Sequence, residues 1–135
     1  MSAASPALAG VYPILATPFR TDASVDEADL CRLVDFIVAA GADGLVFPGV
    51  ASEFETLGND ERQHLVEVVA RQVAGRVPLV IGVSAMDTAT ATSLASQARR
   101  VGAAAVMAVA PAAFKGNTSA IAAYYTQIAG AGVPV

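Results

Sequence analysis

The sequence predicts an α/β protein in which strand–helix units follow one another along a parallel sheet, and three observations predict it. Glycines precede apolar runs at Gly41, Gly75, Gly102 and Gly130, separated by 34, 27 and 28 residues, an interval that suits a strand–helix unit of roughly 30 residues. The runs at residues 11–16, 44–48, 78–83 and 104–110 are continuously apolar rather than alternating, as strands covered on both faces are. Between the runs lie amphipathic segments, each closed by one of these glycines, where the left-handed residue that ends a helix usually sits.

Each element has its own warrant. After the first strand, Ser24 and Glu27 read as an S-x-x-E capping box, which satisfies two orphan N–H donors reciprocally. Leu30, Leu33, Val34, Ile37 and Val38 then form one apolar stripe at helical spacing. A second helix is expected from Asn59, burying Leu65, Val68, Val69 and Val73. A third follows Asp87 as N-cap and buries Leu94, Ala98 and Val101. A fourth follows Asn117 and packs Ile121, Tyr124, Tyr125 and Ile128. The fourth apolar run is alanine-rich, a poor strand composition, and its place in the repeat makes it a strand.

Four such units and the first residues of a fifth strand, 133–135, account for nearly the whole chain. An open doubly wound sheet and a closed (β/α)8 barrel both use these units. A barrel usually needs about 250 residues, so this chain would supply half of one, as a single domain over residues 1–135. A run that stops at Val133-Pro134-Val135, inside a strand, argues against a finished open sheet. Pattern alone leaves both architectures standing.

Composition narrows the function classes. Eight Lys and Arg against 12 Asp and Glu give a net charge of −4, with 55% apolar and 15% charged residues. That excludes a disordered tail, and no cluster of positive charge offers a nucleic-acid footprint. The longest apolar stretch, residues 101–114, holds Gly102 and Pro111 and is shorter than the roughly 18 residues a membrane span needs. MSAASPALAG lacks the basic start and hydrophobic core of a signal peptide. Cys31 alone makes no disulfide framework and fits a reducing, cytoplasmic setting. With His64 the single histidine, no zinc site is expected.

Ligands of either architecture bind beyond the carboxyl ends of the strands. Neither G-x-G-x-x-G after the first strand nor G-x-x-x-x-G-K-[ST] anywhere is present, which removes the main support for nucleotide binding. The turn after the second strand, Gly49-Val50-Ala51-Ser52-Glu53, is the most informative. Gly49 permits a tight bend, and the following N–H groups can converge on an anion whatever the side chains are. The alternative is an ordinary strand-to-helix turn whose polar side chains bond local backbone.

Four segments in order and register carry a resemblance: GVYPILATPF, GVASEFETL followed by NDER, PLVIGVSA before DTATA, and VAP closing the fourth strand. Together they resemble the dihydrodipicolinate synthase / N-acetylneuraminate lyase family of class I aldolases and lyases, from about Gly10 onward. The resemblance implies the N-terminal half of a (β/α)8 TIM barrel. It also implies chemistry in which a lysine forms an imine with the keto carbon of pyruvate or another 2-oxo acid, with no further cofactor. Gly49 and Glu53 match the ends of the family's Gly-Thr-Thr-Gly-Glu turn, so the resemblance places the substrate carboxylate against the N–H groups of Val50 and Ala51. Ser52 stands at the family's second glycine, where it could supply a displaced hydroxyl and is the one candidate catalytic residue. Thr17, Gly49, Glu53, Pro111 and Ala113 would line the pocket.

The departures are equally specific. The hydroxyl residues of the turn are replaced by Val50 and Ala51, and the tyrosine pair after the proline of the fourth strand by Ala112 and Ala113. A proton relay needs hydroxyls within hydrogen-bond reach, so the lysine-biosynthetic synthase reaction is not expected, and a relative acting on another 2-oxo acid, such as a sugar-acid aldolase or dehydratase, fits better. The imine lysine and its partner tyrosine belong to later strands of the family. Lys115, the single lysine, lies in a loop beside Gly116 and Asn117 and reads as a solvated surface group. His64 reads as helix surface, Cys31 as a packing residue, and Tyr124 and Tyr125 as aromatics of the helix layer. Homo-oligomerisation is expected, because open sheet edges and apolar surface invite association. A non-catalytic 2-oxo-acid-binding or assembly module, and a small open-sheet domain binding a phosphorylated ligand, are the other readings.

Overall fold

The computed structural model describes residues 8–135; residues 1–7, which include most of the stretch read for a signal peptide, lie outside the described residues. Three strands form a parallel sheet in the order β1 (Leu45–Val46), β2 (Leu79–Gly82), β3 (Ala105–Met107). Leu45 pairs with Leu79 and Val80 with Ala105 in parallel register. On the outer side of β1, residues 11–16 run parallel to it, with a bridge between Ile14 and Val46. Beyond β3, Val106 N–H donates to Pro134 C=O at 2.7 Å, which places residues 133–135 where a fifth strand begins.

The strand order therefore follows the chain order from one edge to the other. A doubly wound sheet reverses its order at a switch point, and none occurs among the described residues. Helices α1 (Glu27–Ala39), α2 (Asn59–Val73), α3 (Thr88–Arg100) and α4 (Thr118–Ala129) pack against their successors in the same sequence. One continuous core joins them to the sheet: Leu30 and Val34, Leu65 and Val69, Leu94 and Ala98, and Tyr124 and Ile128 meet Leu45, Phe47, Leu79, Ile81, Val83 and Val106. The opposite face of the strands carries a separate small cluster of Val46, Val80 and Ala105 with Tyr12 against it. Among the described residues the helices thus cover one face of the strands, and the second face is placed as the lining of a barrel would be.

Several sequence expectations change in detail. The first strand shrinks to a bridge because Pro13 has no N–H to give; its carbonyl still accepts from Val46 at 2.9 Å, and Leu15 N–H donates to Val46 C=O at 3.0 Å. The fourth run ends as strand at Met107, since Val109 N–H turns to the Ser84 hydroxyl instead. The capping box of Ser24 and Glu27 does not form. Asp26 caps α1 by accepting from Asp29 N–H at 3.0 Å, a carboxylate outbidding a hydroxyl, while Ser24 bonds Asp22 inside a tight turn that brings Phe19 against Val25. Gly41, Gly75 and Gly102 have positive φ as expected, whereas Gly130 stays right-handed and Gly132 takes the left-handed position. Val101 is only partly buried, and Arg62, absent from the expected stripe of α2, is buried with it.

Candidate functional site

At the carboxyl end of β1 the chain passes through the Phe47–Pro48 peptide, which is cis, and bends at Gly49 into two short 3₁₀ turns, Val50–Ser52 and Phe54–Thr56. The bend is packed from two sides. A Cβ on Gly49 would stand 2.8 Å from Cγ2 of Ile14, and one on Gly82 would stand 1.9 Å from the Pro48 carbonyl oxygen. Glycine at these two positions lets the first two turns close over the end of β2.

Ser52 and Thr17 lock this bend. Ser52 is fully buried; its Oγ accepts from Gly49 N–H at 2.9 Å and donates to Leu15 C=O at 2.5 Å. Thr17, also buried, donates from Oγ1 to Ser52 C=O at 2.6 Å. Both hydroxyls are thereby spent on backbone, joining the 15–17 segment to the 49–52 turn. The N–H groups of Val50 and Ala51 have no hydrogen-bond acceptor among the described residues, and Val50 is 76% exposed. Glu53 follows in the left-handed region (φ 56°, ψ 39°), exposed, closing the turn.

The other expected lining residues lie beyond β3. Pro111 is buried, and Ala112–Phe114 form a 3₁₀ turn with Ala112 and Ala113 exposed. Lys115 is exposed in the loop that follows. Tyr124 and Tyr125 do belong to the helix layer, but their hydroxyls reach back to the sheet. Tyr125 donates to Ala108 C=O at 3.0 Å and Tyr124 to Val109 C=O at 3.4 Å, with Tyr124 edge-on to both Phe114 and Tyr125. Burial pushes the Tyr124 phenol above its ordinary pKa. His64 is on the helix surface, 2.8 Å from a carboxylate oxygen of Glu27. Cys31 is half-buried, and burial first, then Asp35, pushes its thiol upward. No group of three His, Cys, Asp or Glu side chains that could hold a metal occurs among the described residues, and no described helix is long and apolar enough to cross a membrane.

One residue at this end was not singled out from sequence. Arg62 is 4% exposed and donates to Ser84 C=O at 2.8 Å and Gly82 C=O at 2.7 Å. Desolvation lowers its pKa to about 10. The signal was available: positions 62, 65, 66, 69 and 73 lie on one helical face, so the arginine of NDER stands on an apolar stripe.

A parallel sheet in unbroken sequential order with helices on its outer face is the arrangement of half of a (β/α)8 barrel. The profile of the dihydrodipicolinate synthetase family matches residues 7–135, and the chain belongs to that family. The 4-hydroxy-tetrahydrodipicolinate synthase of Bartonella bacilliformis is 36% identical over 122 residues, 90% of this chain and 42% of that protein. A prophage protein of the dihydrodipicolinic acid synthase family from E. coli, solved in complex with pyruvate, is similar at a TM-score of 0.88 and 30% identity, over 93% of this chain and 43% of that one. N-acetylneuraminate lyase from Mycoplasma synoviae matches at a TM-score of 0.84 and 27% identity, over 90% of this chain and 43% of its own. This chain thus spans less than half the length of these relatives, and it is the N-terminal half of their barrel.

Proposed function

We propose that this chain is the carboxylate-gripping half of an imine-forming lyase that acts on pyruvate or another 2-oxo acid. The observation that carries the reading is the pair of unpartnered N–H groups at Val50 and Ala51, held at the carboxyl end of β1 by Ser52 and Thr17. Main-chain donors of this kind bind an anion irrespective of the side chains that carry them, and the pyruvate-bound neighbour supports the choice of a 2-oxo acid.

In this reading the nucleophile is a lysine outside these residues, because Lys115 is exposed in the loop after β3, whereas a nucleophilic amine is held desolvated or beside another cation. The amine adds to the keto carbon and water leaves. Loss of a proton or cleavage of a carbon–carbon bond next to the imine then sends the electron pair into an enamine; its carbon takes up a proton or adds to a carbonyl carbon, which restores the imine, and water hydrolyses that imine to return the amine. The imine is itself the electron sink, so no further cofactor is invoked.

The exact synthase reaction is the less favoured member of this class. Val50, Ala51, Ala112 and Ala113 offer methyl groups where a relay needs hydroxyls, and Ser52, the one displaced hydroxyl, is bonded to Gly49 and Leu15. Ser52 therefore serves the turn rather than the proton transfer. The intact enzyme is taken to be cytoplasmic and homo-oligomeric.

Two measurements on the 135-residue chain test the proposal. Pyruvate with borohydride should leave it unmodified, and titration with pyruvate should shift the amide resonances of Val50 and Ala51 selectively. A reduced adduct on Lys115 overturns the assignment of the nucleophile; unmoved amides overturn the carboxylate site.

A further inference from the structure

The carboxyl end of the sheet is tied together by a single cation. Arg62 lies in the first turns of α2, and its guanidinium reaches across to β2, donating to the carbonyls of both Gly82 and Ser84. Its Cζ sits 4.9 Å from the centre of the Phe54 ring, in the second 3₁₀ turn. Among the described residues no carboxylate pairs with it, and Nε is buried without a hydrogen-bond partner. An unpaired buried charge is costly, and an apolar side chain would fill the same space without that cost. What the guanidinium adds is a rigid fork that holds two carbonyls while its face stacks on an aromatic ring.

Each of those contacts leads toward the carboxylate turn. Phe54 directly follows residues 49–53. Gly82, whose carbonyl Arg62 takes, is the residue on which the Pro48 carbonyl rests, with no room for a Cβ between them. Ser84, the second carbonyl, accepts through its hydroxyl from Val109 N–H at 2.9 Å. Arg62 thereby joins the turn after β1 to the end of β2, and the Ser84 hydroxyl carries the link on to the turn after β3.

We propose that Arg62 is a positioning residue for the substrate carboxylate: by clamping Phe54 to the end of β2, it fixes where the amides of Val50 and Ala51 stand. This rests on the carboxylate reading given above. It adds that the grip depends on a residue in the helix after the turn, twelve and eleven positions beyond Val50 and Ala51, that touches no substrate.

Arg62→Met and Arg62→Lys in the 135-residue chain, compared with wild type, test it by thermal melting, amide exchange and pyruvate titration followed at Val50 and Ala51. Methionine keeps the apolar volume and loses the fork; lysine keeps the charge and can reach one carbonyl at a time. The expected result is faster amide exchange confined to residues 49–57 in Arg62→Met, with pyruvate binding at least tenfold weaker, and recovery to within about threefold of wild type in Arg62→Lys. Should the methionine variant fail to fold, a binding constant for Arg62→Lys two- to threefold weaker than wild type, with shifted Val50 and Ala51 amides, supports the proposal. Variants that bind pyruvate as wild type does, with unmoved amides, overturn it. If wild type shows no pyruvate response, the carboxylate reading fails, while exchange at 49–57 still reports whether Arg62 orders the turn.

Discussion

Ser52 illustrates how much a single hydroxyl decides at the residue scale. The serine inserts its oxygen between Gly49 N–H and Leu15 C=O, so the turn is braced from inside. Ser52→Ala leaves a buried donor and a buried acceptor unsatisfied, and such groups cost about 1–3 kcal/mol. Urea denaturation should show a loss of that size, larger than for Thr17→Val, which leaves one buried acceptor, the Ser52 carbonyl, unsatisfied where Ser52→Ala leaves a donor and an acceptor. A stability-neutral Ser52→Ala would return the hydroxyl to the pocket. Gly82→Ala drives a methyl into the Pro48 carbonyl, and overpacking of this kind costs about 1–3 kcal/mol; its signature is shifted amides at residues 48–53 with the far end of the sheet unchanged. The hydrogen bonds of Ser52 and Arg62 were not legible in the sequence because both go to partners distant in the chain: Leu15 lies 37 positions from Ser52, and Gly82 and Ser84 lie 20 and 22 from Arg62. Spacing along the chain records which face a residue occupies, and not which carbonyl it will find there.

Helices and strands were legible to different degrees, for a physical reason that follows from their hydrogen bonds. A helix satisfies its own backbone, so a cap and a stripe define it locally. Asp87 and Asn117 cap α3 and α4 as the sequence indicates, accepting from Thr90 and Ala120 N–H at 2.8 and 3.0 Å. Strand length depends on the neighbour, and so Pro13 and the detour of Val109 to Ser84 shortened two strands whose apolar runs were longer. Asn117→Ala removes the cap of α4 and should destabilise the chain by about 1 kcal/mol, read as a lowered melting temperature with weakened amide protection at residues 118–121. Asp87 has a pH dependence of known sign. Its carboxylate accepts from the Thr90 N–H and hydroxyl, which hold its pKa below the ordinary value. A depressed folded-state pKa contributes stability that is complete above the unfolded value, near pH 4, and is lost as pH falls through the folded one. The urea midpoint should stay level from neutral pH to about 5 and decline below about 4. In Asp87→Asn, which keeps the cap and removes the titration, that decline should be shallower.

On the scale of the whole molecule, the two faces and two edges of the sheet are unequal, and the inequality governs behaviour in solution. The helix-covered face holds the continuous core, whereas on the barrel-lining face the described residues form a small cluster of Val46, Val80 and Ala105 with Tyr12 against it. Along one edge, Leu15 N–H and the Pro13 carbonyl face β1, so the intervening N–H groups of Ile14 and Ala16 point away from it and have no backbone partner among the described residues. Val11, in this segment, is exposed. The other edge opens into a groove of about 570 Å³ lined by Met107, Ala108, Tyr125, Ala129 and Val135. Parallel sheets occur almost only with both faces covered, and free strand edges template pairing with another chain. Apolar surface and unpaired backbone at both edges of one parallel sheet are complementary to each other, so a second copy can add its first segment beside residues 133–135 of the next. The 135-residue chain on its own should therefore self-associate, its weight-average mass in sedimentation rising across a micromolar concentration series. Met107→Lys and Val135→Lys place charges in the groove and should displace the association to higher concentration while leaving the helical far-ultraviolet signal intact. A wild-type chain that sediments as a monomer throughout the series would mean that the lining face is closed by the chain's own residues, against the arrangement of strands described above.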